Sequence, residues 1–191
     1  MSKRLSVGVG ILALAIVGGS LAAVLPRTSN QGYAPTQPIP FSHKLHSGVN
    51  KIPCQYCHSD VEKSRHASIP STAVCMNCHK VVKTTSPLIQ RVKKAWDEGR
   101  AIEWVRVHEL PDFAYFPHKR HIAAGLACQT CHGEVQTMDK VYQFGALTMG
   151  WCMECHRGRS TPSNVLAGIE AKGFPHGEGQ AAPQQCTTCH Y

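Results

Sequence analysis

Ten cysteines and five of the twelve histidines of the 191-residue chain fall into one repeated pentapeptide. It occurs at Cys54–Cys57–His58, Cys75–Cys78–His79, Cys128–Cys131–His132, Cys152–Cys155–His156 and Cys186–Cys189–His190, always with two residues between the cysteines. C-x-x-C-H is the attachment pattern of c-type haem. The two thiols add across the porphyrin vinyl groups, and the next residue places an imidazole under the iron as its proximal ligand. A C-x-x-C pair alone would also suit a zinc ribbon or a thiol redox centre. Neither chemistry requires a histidine after every pair, and no cysteine is left outside the pattern. The expected cofactor is therefore five covalently bound haem c groups.

Each iron then needs a distal ligand or an open face. Seven histidines remain: His43, His46, His66, His108, His118, His121 and His176. His43 and His46 are three apart, so on a helical turn they share a side yet reach different irons, and the same holds for His118 and His121. These four are expected as distal ligands, with His66 as a fifth. Counted from the first cysteine of each half, the position matching His66 is Lys140. One distal ligand must therefore come from elsewhere. His108 is the leading candidate and Met149 the runner-up, whose thioether would raise the potential of that haem. His176, in a Phe-Pro-His-Gly turn, reads as a surface residue. The spacing does not pair distal ligands with individual haems.

The elements that position these groups follow from size and patterning. About 33 residues are available per haem once the apolar N-terminus is set aside, too few for separate pockets. The porphyrins must form much of the core. Low aromatic content (7%) with 16 glycines and 12 prolines suits a loop-rich wrapping. The expected fold is mostly α and irregular with little β: an N-terminal transmembrane helix plus a multihaem cytochrome c domain built around five haems. The formal charge of +8 does not point to nucleic acid, because five haems add about ten propionate charges and return about five at the irons.

Residues 1–25 open with Lys3 and Arg4 and continue as a 19-residue apolar run from Val7 to Leu25. A secretory signal has a shorter apolar centre, and Ser20-Leu21-Ala22 would barely serve for cleavage. The length favours an anchor, with the haem domain on the extracytoplasmic side of the membrane. Its small residues, including Ala15/Gly19 and Gly18/Ala22, suit either helix docking or ordinary export-sequence composition. Residues 26–40 hold four prolines and read as an extended spacer. The haem domain, 41–191, contains a duplication. Phe41-x-His43-x-x-His46 and Phe116-x-His118-x-x-His121 lie 75 residues apart, each followed by two attachment motifs. The modules span about 41–85 and 116–160, and the fifth motif at 186–190 closes the chain. Between them Ser86-Pro87 starts a helix that Gly99 ends, with Leu88, Val92 and Trp96 on one face.

The order F-x-H-x-x-H followed by C-x-x-C-H resembles the class III multihaem cytochromes of the cytochrome c3/c7 group. The anchor, QPIPFSHKLHSG, WVRVHELPDFAYFPHKRH, MGWCMECHRG and the terminal motif resemble the pentahaem subunits of alternative complex III. That resemblance implies a membrane quinol:electron-acceptor oxidoreductase in which such a subunit relays electrons towards a cytochrome c, a copper protein or a terminal oxidase. The partners it implies are an iron–sulfur/molybdopterin-like subunit without its molybdenum cofactor and integral subunits that bind quinol. Two other classes compete. A catalytic multihaem reductase needs an open iron, which the surplus of histidines opposes. A self-contained anchored quinol dehydrogenase shares the anchor but fits the haem count and the duplication less well. The expected role is a non-catalytic electron-transfer subunit in the cytoplasmic membrane.

Overall fold

A computed structural model describes residues 3–24, 29–157 and 182–190, with the side chains of the first stretch described from 7 to 20. His176, the end of the second module, residue 25 of the expected anchor and residues 26–28 of the expected spacer lie outside the described residues. The chain divides into two compact units, Met1–Asn30 and Gln31–Tyr191.

The first unit is one helix, α1 (Lys3–Val24). Every described side chain on it is exposed, including Val7, Ile11, Leu12, Leu14 and Val17 on different faces. Among the described residues no helix is long and apolar enough to cross a membrane. The stretch with described side chains, 7–20, is shorter than the about 20 residues that a span needs. The anchor expected over 1–25 is thus not shown by the fold.

The second unit is built from short helices: α2 (Cys54–Cys57), α3 (Thr72–His79), α4 (Pro87–Asp97), α5 (His118–Ala123), α6 (Gln129–His132), α7 (Met149–His156) and α8 (Cys186–Cys189). Among the described residues these are joined by a π-helical turn at Lys44–Val49 and a 3-10 turn at Val135–Thr137. No strand occurs among the described residues; one antiparallel bridge joins Ala114 to His190. Proline at the first position of α4 and Gly99 after its end bound that helix as expected. Gly99 has φ +63°, and the Gly99 and Arg100 amides turn back to the Trp96 and Ala95 carbonyls. The buried face is Val92 and Ala95, while Leu88 and Trp96 stay at its margin. That rotation lets Val92 meet Met76 of α3 and Ile39 in a buried apolar cluster, with Ile102 and Trp104 beside it.

Six apolar side chains are buried among the described residues: Ile39, Val61, Met76, Val92, Ala95 and Met138. A polypeptide with so small a core does not offset the conformational entropy of ordering its loops. Much of the expected spacer is tied down instead of extended. The Gly32 amide donates to the Gln143 carbonyl (2.7 Å) and the Gln143 amide to the Tyr33 carbonyl (3.0 Å), and the Gln37 side chain brackets the Val105 backbone at 2.8 and 2.9 Å. These bonds satisfy backbone groups that its prolines leave without a ladder.

The two modules meet directly. The turn at Lys44–Val49 packs on Val135–Thr137, the Lys44 amide donates to the Met138 carbonyl (3.0 Å), and Ser42 and Lys44 both bind Asp139 (2.8 and 3.1 Å). Gly48 is required here: a Cβ would sit 2.2 Å from the Gln136 carbonyl oxygen.

Candidate haem sites

A single helical turn presents residues i and i+3 side by side and brings i+4 round beneath them. The attachment motifs use this geometry. In α2, α6 and α8 the amide of the motif histidine donates to the carbonyl of the first cysteine, at 2.9 Å for His58, 3.0 Å for His132 and 2.9 Å for His190. The other two motifs lie inside the longer α3 and α7, the latter capped by the Thr148 hydroxyl, which accepts from the Trp151 amide. Gly133 follows His132 with φ +70°, and a Cβ there would meet the Phe144 ring at 2.7 Å. Only glycine fits that corner.

All ten thiols are unbridged. Burial, reinforced by Cys155, Cys152 and Cys128, pushes Cys131 up to about 11. Burial likewise raises Cys57, Cys75, Cys152 and Cys155. Nucleophilic and redox-active cysteines have the opposite environment, one that favours thiolate.

The imidazoles are oriented by their Nδ1 atoms. His58 reaches the Ser68 carbonyl (2.7 Å), His79 that of Val82 (3.0 Å), His156 that of Pro183 (2.7 Å) and His190 that of Phe113 (3.2 Å). On the expected distal side His46 reaches the Ser42 carbonyl (2.8 Å), His118 that of Arg65 (2.7 Å) and His121 that of Pro117 (3.0 Å). A carbonyl only accepts, so Nδ1 carries the proton and Nε2 keeps a free lone pair. This is the arrangement that presents Nε2 to a metal.

The rings then come in facing pairs. His46 and His79, His118 and His132, and His121 and His156 each have centroids 6.2 Å apart. A metal–imidazole bond of about 2 Å puts a ring centroid roughly 3 Å from the ion, so two rings on opposite faces of one iron lie roughly 6 Å apart. His43 stands in electrostatic reach of His58; burial first, then His58 and His46, lower it to about 4. His132 is lowered to about 3, by burial first and then by His108, His118 and His58. Burial also lowers His108 and His121. Neutral imidazole is the form that binds iron.

The other expected ligands fall in different places. His66 follows Arg65, whose guanidinium lies 4.4 Å from the centre of the Tyr115 ring, and the Tyr115 amide donates to the Cys189 carbonyl (2.7 Å). His108 packs edge-on against His132, with centroids 4.4 Å apart and His108 Nε2 3.2 Å from His132 Nδ1. Met149, 66% exposed, starts α7. Other contributors were not foreseen from the sequence. Phe41 and Phe116 pack on the distal histidines of their modules. Gln143, the one fully buried polar residue described, accepts from the Glu109 amide (3.2 Å) and donates to the Gly145 carbonyl (3.1 Å). A lone glutamine in a loop carries no pattern, whereas F-x-H-x-x-H already put the phenylalanines beside the ligands.

The donor set fits haem c: paired thiols on one turn, an imidazole beneath them with its tautomer fixed, and at three of the motifs a second imidazole centred 6.2 Å away. Residues 39–96 and 114–191 match the family of cytochrome c7 and related cytochrome c. The menaquinone reductase multihaem cytochrome c subunit of Nitratidesulfovibrio vulgaris Hildenborough is 31% identical over 155 residues, 81% of this chain and 67% of that protein. This chain belongs to the cytochrome c7 and related cytochrome c family, multihaem electron-transfer proteins that carry covalent haem c.

Proposed function

We propose that the chain is the multihaem electron-transfer subunit of a membrane quinone-linked oxidoreductase, holding five haems between paired histidines. The observation that carries this is the recurrence of facing imidazoles at 6.2 Å, each with Nδ1 engaged and Nε2 free. The pairing we assign is His43 with His58, His46 with His79, His118 with His132 and His121 with His156. His66 is left for the iron above His190, because Arg65 and Tyr115 bring its segment beside Cys189. When bound, haem c supplies a one-electron iron couple. The paired histidines would hold each iron from both sides and leave no face for a substrate, and the packing of the chain would set the distances between sites.

Electrostatic proximity and one hydrogen bond support an order of sites. Cys57 lies in electrostatic reach of Cys75, and the Asn77 amide binds the Tyr56 hydroxyl (3.0 Å), joining the first two sites. His132 feels His58, Cys131 feels Cys152 and Cys155, and Cys152 feels Cys189. Numbered by sequence, the sites run 2–1–3–4–5, a single wire. Burial and hydrogen bonding around each iron grade its potential along it.

The apolar, all-round exposed α1 supports a membrane anchor over residues 1–25, with the haem domain outside the cytoplasm. The quoted sequence stretches favour an alternative complex III, with quinol-binding integral subunits, an iron–sulfur/molybdopterin-like subunit, and a cytochrome c, copper protein or terminal oxidase as acceptor. A second reading reverses the current: the relative is named a menaquinone reductase subunit, and a wire conducts both ways. The test is purification from membranes in mild detergent. Five haem additions by mass, low-spin EPR and co-purifying integral and iron–sulfur subunits are expected. Quinol-dependent reduction of cytochrome c or menaquinone reduction then decides between the two directions. Isolation of the chain alone with quinol oxidation activity, or an EPR spectrum dominated by high-spin iron, would overturn the proposal.

A further inference from the structure

Every other motif or distal imidazole that has an Nδ1 partner among the described residues uses a backbone carbonyl; His132 alone uses a side chain. We propose that His108 is a positioning residue, not an iron ligand: its Nε2 accepts the hydrogen bond from His132 Nδ1 and tunes the potential of the haem that His132 holds. This rests on the haem reading of Cys128, Cys131 and His132. Because His132 must keep Nε2 for iron, its proton is on Nδ1, and His108 Nε2, 3.2 Å away, is the acceptor. The nitrogen that His108 would offer an iron is thereby occupied.

The segment is held in register from both sides. The Arg106 side chain donates to the His108 carbonyl (3.0 Å). The next amide, Glu109, donates to the fully buried Gln143, whose own amide group is fixed on Gly145. An imidazole nitrogen is a stronger base than a peptide carbonyl. It draws the Nδ1 proton harder, gives the ligand more imidazolate character and favours Fe(III). The haem at site 3 therefore has a lower potential than the same ligand pair would give over a carbonyl.

The test is a spectropotentiometric titration with EPR on the full-length, haem-loaded protein. His108→Phe keeps bulk and removes the acceptor. All irons should stay low-spin while one of the five potentials rises, by roughly a tenfold change in its Fe(III)/Fe(II) ratio at fixed applied potential, equal to 59 mV for one electron. His108→Gln restores a carbonyl acceptor and should give a smaller rise in the same haem. A new high-spin iron in either variant means that His108 is an axial ligand and overturns the proposal. An unmoved set of potentials does the same. If His108→Phe fails to mature, His108→Gln decides alone, and loss of haem from it as well also overturns the proposal, since a retained acceptor should suffice. Wild-type protein with only four haems by mass, lacking the one at Cys128, would instead defeat the haem assignment at that site.

Discussion

In residues 41–85 Phe41 lies 4.9 Å from His43 at 83° and 4.2 Å from His46 at 23°. In residues 116–160 Phe116 lies 4.9 Å from His118 at 88° and 4.3 Å from His121 at 30°. The phenylalanine and the two histidines thus form the same arrangement twice. Around that arrangement the modules diverge. The first pair sits on a π-helical turn and the second on α5. His118 Nδ1 has the Arg65 carbonyl, whereas His43 Nδ1 is buried without a hydrogen-bond partner. His58 finds its acceptor ten residues downstream at Ser68, while His132 finds His108 upstream. The position matching Ser68 is Tyr142, and its neighbour Gln143 grips Glu109 instead. The duplicated part is the phenylalanine with its two histidines; the divergent part is the outer hydrogen bonding, which would set the potential of each proposed haem.

The largest effect to expect is on both modules at once. With six buried apolar side chains described, protein made without haem attachment should lack a cooperative thermal transition by circular dichroism. A sharp transition in the apoprotein would show that the modules fold on polypeptide contacts alone. Next, His43→Ala and His118→Ala should differ. Each opens one iron to carbon monoxide in the reduced protein. His118 also anchors the 64–66 segment, which carries the proposed ligand of site 5, so His118→Ala should bind more than one carbon monoxide per chain and His43→Ala only one. Equal stoichiometry would break the distinction between them.

A smaller contrast lies where the modules touch. Gly48→Ala drives a Cβ into the Gln136 carbonyl and should cost about 1–3 kcal/mol. Ala123, at the matching position of the second module, should cost only about 0.5–1 kcal/mol as Ala123→Gly. Thermal denaturation of the two variants checks the ranking. Least of all, Lys44→Ala removes an exposed ion pair to Asp139 that is solvent-screened. Its melting temperature should match that of the parent, and a clear loss would mean that the contact between modules depends on charge.

Covalent patterning settled much before any fold was known. Cys-x-x-Cys-His has to occupy consecutive positions of one turn, so the attachment residues, the repeat of F-x-H-x-x-H and the helix bounded by Ser86-Pro87 and Gly99 are all local and could be read directly. The choice of partner for each imidazole is non-local. His46 meets His79 across 33 residues and His118 takes its anchor from Arg65, 53 residues away. His108 shows the limit most clearly. Its type and position suggested an axial ligand, and only the packing of 106–109 against Gln143 turned its ring towards another imidazole. Sequence alone determined what chemistry this chain carries, because bonding to haem is a property of neighbouring residues. Tertiary structure decided which ring faces which, because that depends on distances between segments that no spacing along the chain encodes.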